Sequence, residues 1–149
     1  MLRNLFAALL MLAATTVNAQ QGPAQSPQRF GDLLVHHNTF NSSYLQPEIA
    51  AAAGLQRGPR QGVVTISVQR LTDEGMQVVD ARLDGTVTNL IQQTTPLQFI
   101  RLQEDDAIYF VANYSAAQRG LLRFEVKVQA QEGAQTHSVR FQQEFHPDE

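Results

Sequence analysis

The strongest constraint on the fold is an alternation of apolar and polar residues that recurs along the chain after residue 29. It is clearest at 122–129, where every second residue is Leu, Phe or Val. Alternation with a period of two is typical of strands with one buried face. Such segments, separated by turn residues at a spacing of roughly 8–12 residues, number about seven. The sequence therefore predicts an all-β fold, an immunoglobulin-like antiparallel β-sandwich of about seven strands.

One segment departs from this pattern and predicts a short helix near the N-terminus, over Pro47–Ala53. Proline suits the first helical position, Glu48 suits the positive N-terminal end, and Gly54 suits the exit. A helix of about two turns is too short to be stable alone, so it must dock on the sandwich. Apolar residues spaced four apart predict the docking stripe as Leu45, Ile49 and Ala53.

The first 19 residues have the composition of an export signal. Arg3 precedes a short apolar run, and a small-residue cleavage site ends at Ala19. The run is shorter than the ~20 residues of a spanning helix, so no membrane anchor is expected after cleavage. We expect cleavage after Ala19, a flexible lead-in over 20–28, one sandwich domain over 29–149 and a periplasmic location. The chain has no cysteine, so its core must hold without disulfides.

The segment 105–111 predicts the most buried strand of the sandwich. Its order, Asp-x-Ala-x-Tyr-x-Val, is typical of a loop that turns into a central strand of an immunoglobulin-like domain. We expect a structural corner formed by Asp106 and Tyr109, with the Tyr109 ring in the core. Its hydroxyl would bond to backbone near 102–104, and Val111 would share the inward face.

A period of two then directs Ile108 and Phe110 to the opposite face of the same strand. An apolar face of this kind is rarely left open in a monomer, so something should cover it. The helix Pro47–Ala53 is the simplest cover, because it also needs a place to dock. A partner protein or a second copy is the functional alternative, which makes Ile108 and Phe110 the candidate partner surface.

Histidines are the candidates for metal binding, since exported β-sandwiches do bind copper or zinc through imidazoles. His36 and its neighbour His37 face opposite ways on a strand and cannot share one ion without distortion. His36 and His137 are the remaining candidate ligands, and ordinary surface or core histidines are the alternative interpretation. The chain has no cysteine and no Met-rich ligand set, so we expect no metal or other cofactor.

Other chemistries have little support in the sequence. Without Cys or a G-x-S-x-G elbow, no nucleophilic site can be identified, and an enzyme is not expected. A net charge of −3, a single lysine and scattered arginines argue against nucleic acid. Arg57 and Arg60 flank a Gly-Pro turn and could touch an anionic surface. Two charges near a membrane contribute only ~1 kcal/mol each, and loop solubility is the simpler interpretation.

Several stretches resemble one bacterial family, DUF4426: 35–42, 45–50, 85–90, 106–109 and 122–124. The more specific motifs are His-x-x-x-Phe-Asn-Ser at 36–42 and Val-Thr-Asn-Leu at 87–90. The resemblance implies a small exported protein of a Gram-negative bacterium with a sandwich-like fold and no assigned activity. It also implies that His37 and His146 stand where tyrosine is usual, as aromatic fillers rather than ligands.

Together these features predict a non-catalytic binding or accessory module of the cell envelope, acting on an unknown protein partner through a sheet face or an edge strand. The alternative is a periplasmic metal-binding or copper-delivery sandwich.

Overall fold

The computed structural model describes residues 27–131 and 133–148. In this part of the chain a 3₁₀ turn, Ser42–Tyr44, and one α-helix, α1 (Pro47–Ala53), accompany ten strands. The strands are β1 (Gln28–Phe30), β2 (Leu33–Asn41), β3 (Gln61–Thr72), β4 (Gly75–Val78), β5 (Arg82–Thr88), β6 (Thr94–Leu97), β7 (Ile100–Glu104), β8 (Ala107–Ser115), β9 (Gly120–Gln129) and β10 (His137–Phe145).

The predicted leader over 1–19 lies outside the described residues, as does most of the predicted lead-in. Gln28, the last residue of that lead-in, is already the first residue of β1. No helix in residues 27–131 and 133–148 combines the length and the apolar character needed to cross a membrane.

Two antiparallel sheets form a sandwich, which confirms the predicted architecture. Sheet one has the order β1-β2-β3-β8-β7, and β4 also pairs with β3. Sheet two has the order β10-β9-β5-β6. The central strand is β3. Strand β2 pairs with one edge of it, while β8 pairs with the first half of the other edge and β4 with its end.

The described chain forms ten strands rather than about seven, because short breaks at 31–32, 79–81 and 98–99 divide stretches that the alternation alone makes look continuous. A turn at Gly31, with φ of 64°, separates β1 from β2. The chain crosses from sheet one to sheet two at 79–81 and returns at 98–99. Because both sheets face the same core, every second residue can point into that core before and after such a crossing. The alternation therefore continues through the break and conceals it.

The main core lies between the two sheets and contains the alternating positions that the sequence predicted. Val64, Ile66 and Val68 of β3 face it, as does every second residue of β9 from Leu122 to Val128. Aromatic rings continue across it in a series of contacts. His37 stacks on Phe141, Phe141 stacks on Phe124, and Tyr114 meets Phe124 and Phe145 edge-on.

Helix α1 covers part of the outer face of sheet one and creates a second, smaller core. Its end agrees with the prediction, since Gly54 adopts a left-handed conformation and donates to the carbonyls of Ala50 and Ala51. Its buried side chain is Ala50, which packs in a cluster with Leu55, Val63 and Val111.

The predicted stripe of α1 was wrong at Ile49, which is 52% exposed. Leu45 has an extended backbone and precedes the helix, so the spacing of four between Leu45 and Ile49 is not a helical repeat. The small side chain of Ala50 faces the sheet instead and permits close approach. Leu45 and Ala53 do pack against the second core.

Candidate binding surface

The outer face of sheet one is only half covered by α1, and its other half presents apolar side chains to solvent. Leu71 and Met76 are directly opposite each other in the β3–β4 hairpin. Val78 lies opposite Gln69, and Tyr109 lies opposite Leu102 on β7. These side chains are 42–47% exposed, and we call them the outer patch: Leu71, Met76, Val78 and Tyr109.

Acidic turns lie at the end of sheet one nearest this patch. Strands β2 and β8 begin at this end and β3 finishes there, so three tight turns come together. They carry Asp32, Asp73, Glu74, Glu104, Asp105 and Asp106. Arg70 forms an ion pair with this group, with its Nε 3.6 Å from an Asp32 carboxylate oxygen, and Arg29 donates to the Gly31 carbonyl in the same turn. We call these turns the acidic end, and their charge favours a cationic partner.

A hydrogen bond fixes the polar centre of the same face. The Nε2 of His36 lies 2.8 Å from the Oε1 of Gln69. Leu34, opposite Gln69 in the ladder, is half-buried beside them. The outer patch therefore lies at the edge of the outer face of sheet one, and the hydrogen bond between His36 and Gln69 holds the side chains in the middle of that face.

The predicted corner at Asp106 and Tyr109 was wrong, because Tyr109 is 47% exposed. Asp106 does lie in the turn that precedes β8. The inward phase of β8 is opposite to the expected one, since Phe110 pairs with the inward-facing Ile66 of β3. The buried tyrosine of this strand is Tyr114, five residues further on.

Ile108 and Phe110, the predicted partner surface, were wrong for the same reason. Phe110 is buried in the main core, and Ile108 is half-buried against it. Helix α1 covers the face that carries Val111 instead. The expectation that the helix covers one side of β8 was correct, but the side was not.

The candidate metal ligands lie in different sheets. His36 is on the outer face of β2, where it bonds to Gln69. His137, at the start of β10, stacks on Phe30 with ring centroids 4.6 Å apart. Across residues 27–131 and 133–148, no three His, Asp or Glu side chains lie close enough together to hold a metal ion.

His37 lies in the core, as expected of an aromatic filler. Its ring centroid is 4.0 Å from that of Phe141, and the two planes are nearly parallel. Burial, and secondarily the neighbouring His36, hold the pKa of His37 below its ordinary value. His146 does not share this role, since its side chain is 57% exposed and lies 3.9 Å from Glu144.

The outer face of sheet two has a polar concavity of about 600 Å³. Its charged and polar groups largely satisfy one another. Arg140 Nε is 2.9 Å from Glu125 Oε2, and Arg123 donates to Gln92 Oε1 at 2.9 Å. This arrangement makes a solvated, internally paired surface, which distinguishes it from the outer patch.

The family motifs serve mainly structural purposes in this fold. Asn41 donates to the His146 carbonyl and to Asp148, which holds the C-terminal segment against β2. Ser42 Oγ accepts from the Gly58 N–H at 3.0 Å. Ser43 and Asn41 keep the pKa of Asp148 below its ordinary value by donating to its carboxylate.

The sequence profile of a domain of unknown function, DUF4426, matches residues 27–148. The chain belongs to the DUF4426 family. A crystal structure of a DUF4426 family protein from Pseudomonas aeruginosa PAO1 is similar, with 39% sequence identity and a TM-score of 0.74. The match covers 87% of this chain and 100% of that one.

Two structures of FetP from uropathogenic Escherichia coli share the fold at much lower identity. FetP as isolated after expression in the periplasm has 9% identity and a TM-score of 0.60, and 85% of this chain and 96% of that one are covered. A copper-bound FetP variant has 10% identity and a TM-score of 0.60, with 84% and 97% covered. Among curated proteins, none matches this family member.

Proposed function

We propose that this protein is a non-catalytic binding module of the bacterial cell envelope, located in the periplasm, and that the outer patch is its docking face. The observation that carries the proposal is the combination of four half-exposed apolar side chains with the acidic end beside them. Large apolar side chains grouped on one face of a protein mark interaction sites more often than scattered ones do.

The partner that fits this face has an apolar centre and a basic margin. Covering a half-exposed Leu, Met or Val side chain contributes on the order of 1 kcal/mol. The acidic end would contribute more to the rate of encounter and to partner choice than to affinity. Helix α1 packs on Val63 at the start of β3, whereas β4 pairs with Gln69–Thr72 at the end of that strand. A partner segment can therefore lie across the β3–β4 hairpin without displacing α1.

Site-specific photo-cross-linking in the protein's own host tests this proposal. A photoreactive residue at Met76 should capture a partner, whereas one at Gln142, on the outer face of sheet two, should not. Reversing the charges of Asp73 and Glu74 to lysine should weaken capture from Met76, because the basic margin of the partner would be repelled. Equal capture from both positions, or none from Met76, would contradict the proposal.

The periplasmic location rests on the predicted leader, and FetP, expressed in the periplasm, offers a fold precedent. Fractionation of host cells checks it: the mature chain should be released with the periplasmic contents and should begin at Gln20. A mature N-terminus at Met1, in the cytoplasmic fraction, would contradict it.

The alternative is a metal-binding or copper-delivery sandwich. Copper is bound by a variant of FetP, whose resemblance to this chain is one of fold. Calorimetry of the purified chain with Cu(II) and Zn(II) separates the two proposals. The docking module predicts no heat at micromolar metal, and a His36→Phe change that abolishes a measured binding heat would favour the alternative.

A further inference from the structure

The loop between β5 and β6 is closed by the side chain of Asn89. Its Oδ1 accepts from the N–H groups of Ile91 and Gln93 at 3.1 and 2.9 Å. Its Nδ2 donates to the Gln93 side chain at 2.9 Å, and its backbone N–H donates to the Gln93 carbonyl. Gln92 takes a left-handed conformation, with φ of 62°. These bonds hold the loop in one shape.

The residues displayed by this fixed loop are apolar. Leu90 is 64% exposed and Ile91 is 73% exposed, more than any residue of the outer patch. Arg123 Nη2 donates to the Gln92 side chain at 2.9 Å and attaches the loop to β9. A loop ordered in advance loses little conformational entropy when these side chains are buried by a ligand.

Other loops meet this one at the end of the sandwich opposite the acidic end. The Leu90 side chain lies next to Gly120, where β9 begins. The Ala116 N–H donates to the Arg60 carbonyl, and the Asp148 N–H donates to the Pro59 carbonyl. The 3₁₀ turn at this end presents Tyr44, which is 80% exposed. The three most exposed large apolar side chains of the described residues therefore belong to one end.

This end also carries cationic groups that have no acidic partner. Arg57, Arg60 and Arg123 take part in none of the ion pairs formed by the described residues, whereas Arg119 pairs with Glu144 at 3.1 Å. Arg57 and Arg60 follow α1 in the connection to β3, and Arg123 lies in β9 beside the Asn89 loop. Carboxylates lie at this end too, since Glu48 is in the first turn of α1 and Asp148 accepts from Asn41 and Ser43. The three arginines are therefore exposed cations within a surface of mixed charge.

We propose that this end of the sandwich docks reversibly on an anionic lipid bilayer. Leu90 and Ile91 would enter the interface between headgroups and acyl chains, and Tyr44 would lie at headgroup level, where tyrosine is favoured. The arginines would bind lipid phosphates, to which guanidinium geometry is suited. The acidic end would face away from the bilayer, and the outer patch would remain open to a partner. This inference rests on the end of the sandwich that carries the Asn89 loop, and it goes beyond the proposed function.

Vesicle co-sedimentation of the chain beginning at Gln20 tests the inference. The chain should bind vesicles of phosphatidylethanolamine and phosphatidylglycerol in a salt-sensitive manner and bind pure phosphatidylcholine weakly. Exchanging both Leu90 and Ile91 for serine should lower the partition coefficient at least ~tenfold, since each removes a large inserted side chain. Arg57→Gln and Arg60→Gln should each lower it about fivefold.

A matched control comes from the other exposed apolar site. Exchanging Leu71 and Met76 for serine should leave vesicle binding unchanged, whereas Leu71→Ser alone should weaken cross-linking from a photoreactive residue at Met76. All these side chains are exposed, so circular dichroism should show every variant folded. No binding to anionic vesicles, equal binding to phosphatidylcholine, or full binding by the Leu90/Ile91 variant would overturn the inference. So would light scattering that showed a dimer dependent on Leu90 and Ile91.

Discussion

Gly62 and Tyr114 face each other across β3 and β8, and the phenol ring lies over the glycine. A methyl group at Gly62 would overlap the far end of that ring. Burial raises the pKa of Tyr114 to about 12. The pair lets an aromatic side chain use the space over a bare backbone, as aromatic residues do over glycines in other sheets.

Gly62→Ala should therefore destabilise the protein by ~2–4 kcal/mol, because the new methyl must displace a buried ring. Urea unfolding would measure the loss. The cost should shrink in a Tyr114→Leu background, since leucine lacks the ring atoms that clash. Gly58→Ala is the control, because the nearest atom to a methyl there is Gln61 Cγ at 3.4 Å. Equal losses at Gly62 and Gly58 would contradict the packing described.

The buried imidazole of His37 should make the stability of the fold depend on pH. Its lowered pKa, caused first by burial and then by His36, means that the folded state prefers the neutral imidazole. The unfolded chain binds the proton first as pH falls, so the contribution to stability is complete above the ordinary pKa of 6.5 and is lost below it.

His37→Phe should keep the stack on Phe141 and remove this titration. Thermal unfolding at about pH 7.5 and about pH 5 should then show a smaller fall in Tm for the variant than for the native chain. His146→Gln, at an exposed position, should leave the native pH dependence in place. An unaltered pH dependence in His37→Phe would mean that the imidazole is not a source of the acid sensitivity.

At the scale of elements, α1 is a short helix held by its docking rather than by its own propensity. The N–H of Leu55 donates to the Ala50 carbonyl at 2.8 Å, which closes the helix and brings Leu55 into the second core. Ala50 is almost fully buried, whereas Ala51 and Ala52 face solvent. Neighbouring alanines of one helix thus differ in role.

Ala50→Glu should undock α1 and cost ~2–4 kcal/mol, because a carboxylate has neither space nor a partner in the second core. Ala51→Glu is the matched control and should change stability by less than ~0.5 kcal/mol. Chemical denaturation of both variants provides the measurement. A similar effect of the two changes would show that the helix does not depend on this face.

Across the whole molecule, β1 closes one side of the sandwich between the sheets. Phe30 of β1 stacks on His137 of β10 in sheet two. Gln28 Nε2 also donates to the Arg140 carbonyl at 2.6 Å. A three-residue strand thereby joins sheet one, to which it belongs, to the edge of sheet two.

A double-mutant cycle on Phe30→Ala and His137→Ala should give a coupling of ~0.5–1.5 kcal/mol, the range of an aromatic pair. His137→Phe should preserve stability, because a phenyl ring can replace the imidazole in the stack. Additive single effects would indicate that the two rings do not stabilise each other and that β1 is held by its ladder to β2 alone.

The strand pattern and the helix were predictable because their signals are local. Alternation in β3, β9 and β10 predicts an inward face without knowledge of any other strand, and Pro47 and Gly54 set the ends of α1. The sequence indicated the outer patch more weakly. Leu71 has the opposite parity to Val68, and Val78 the opposite parity to Val79, so both had to face outward.

The face that β8 turns to the core was decided only by tertiary structure. Residues 108, 110, 111 and 112 are all apolar, so alternation is lost, and either phase satisfies the local pattern. The pairing of Phe110 with Ile66 on β3 determines the phase, and it places Tyr109 outside and Tyr114 inside. The sequence by itself determined which segments are strands and where the helix lies, since backbone preference and periodicity act over a few residues. Contacts between distant segments decide which apolar residues are exposed and at which end the acidic side chains come together. These features therefore follow only from the assembled sheets.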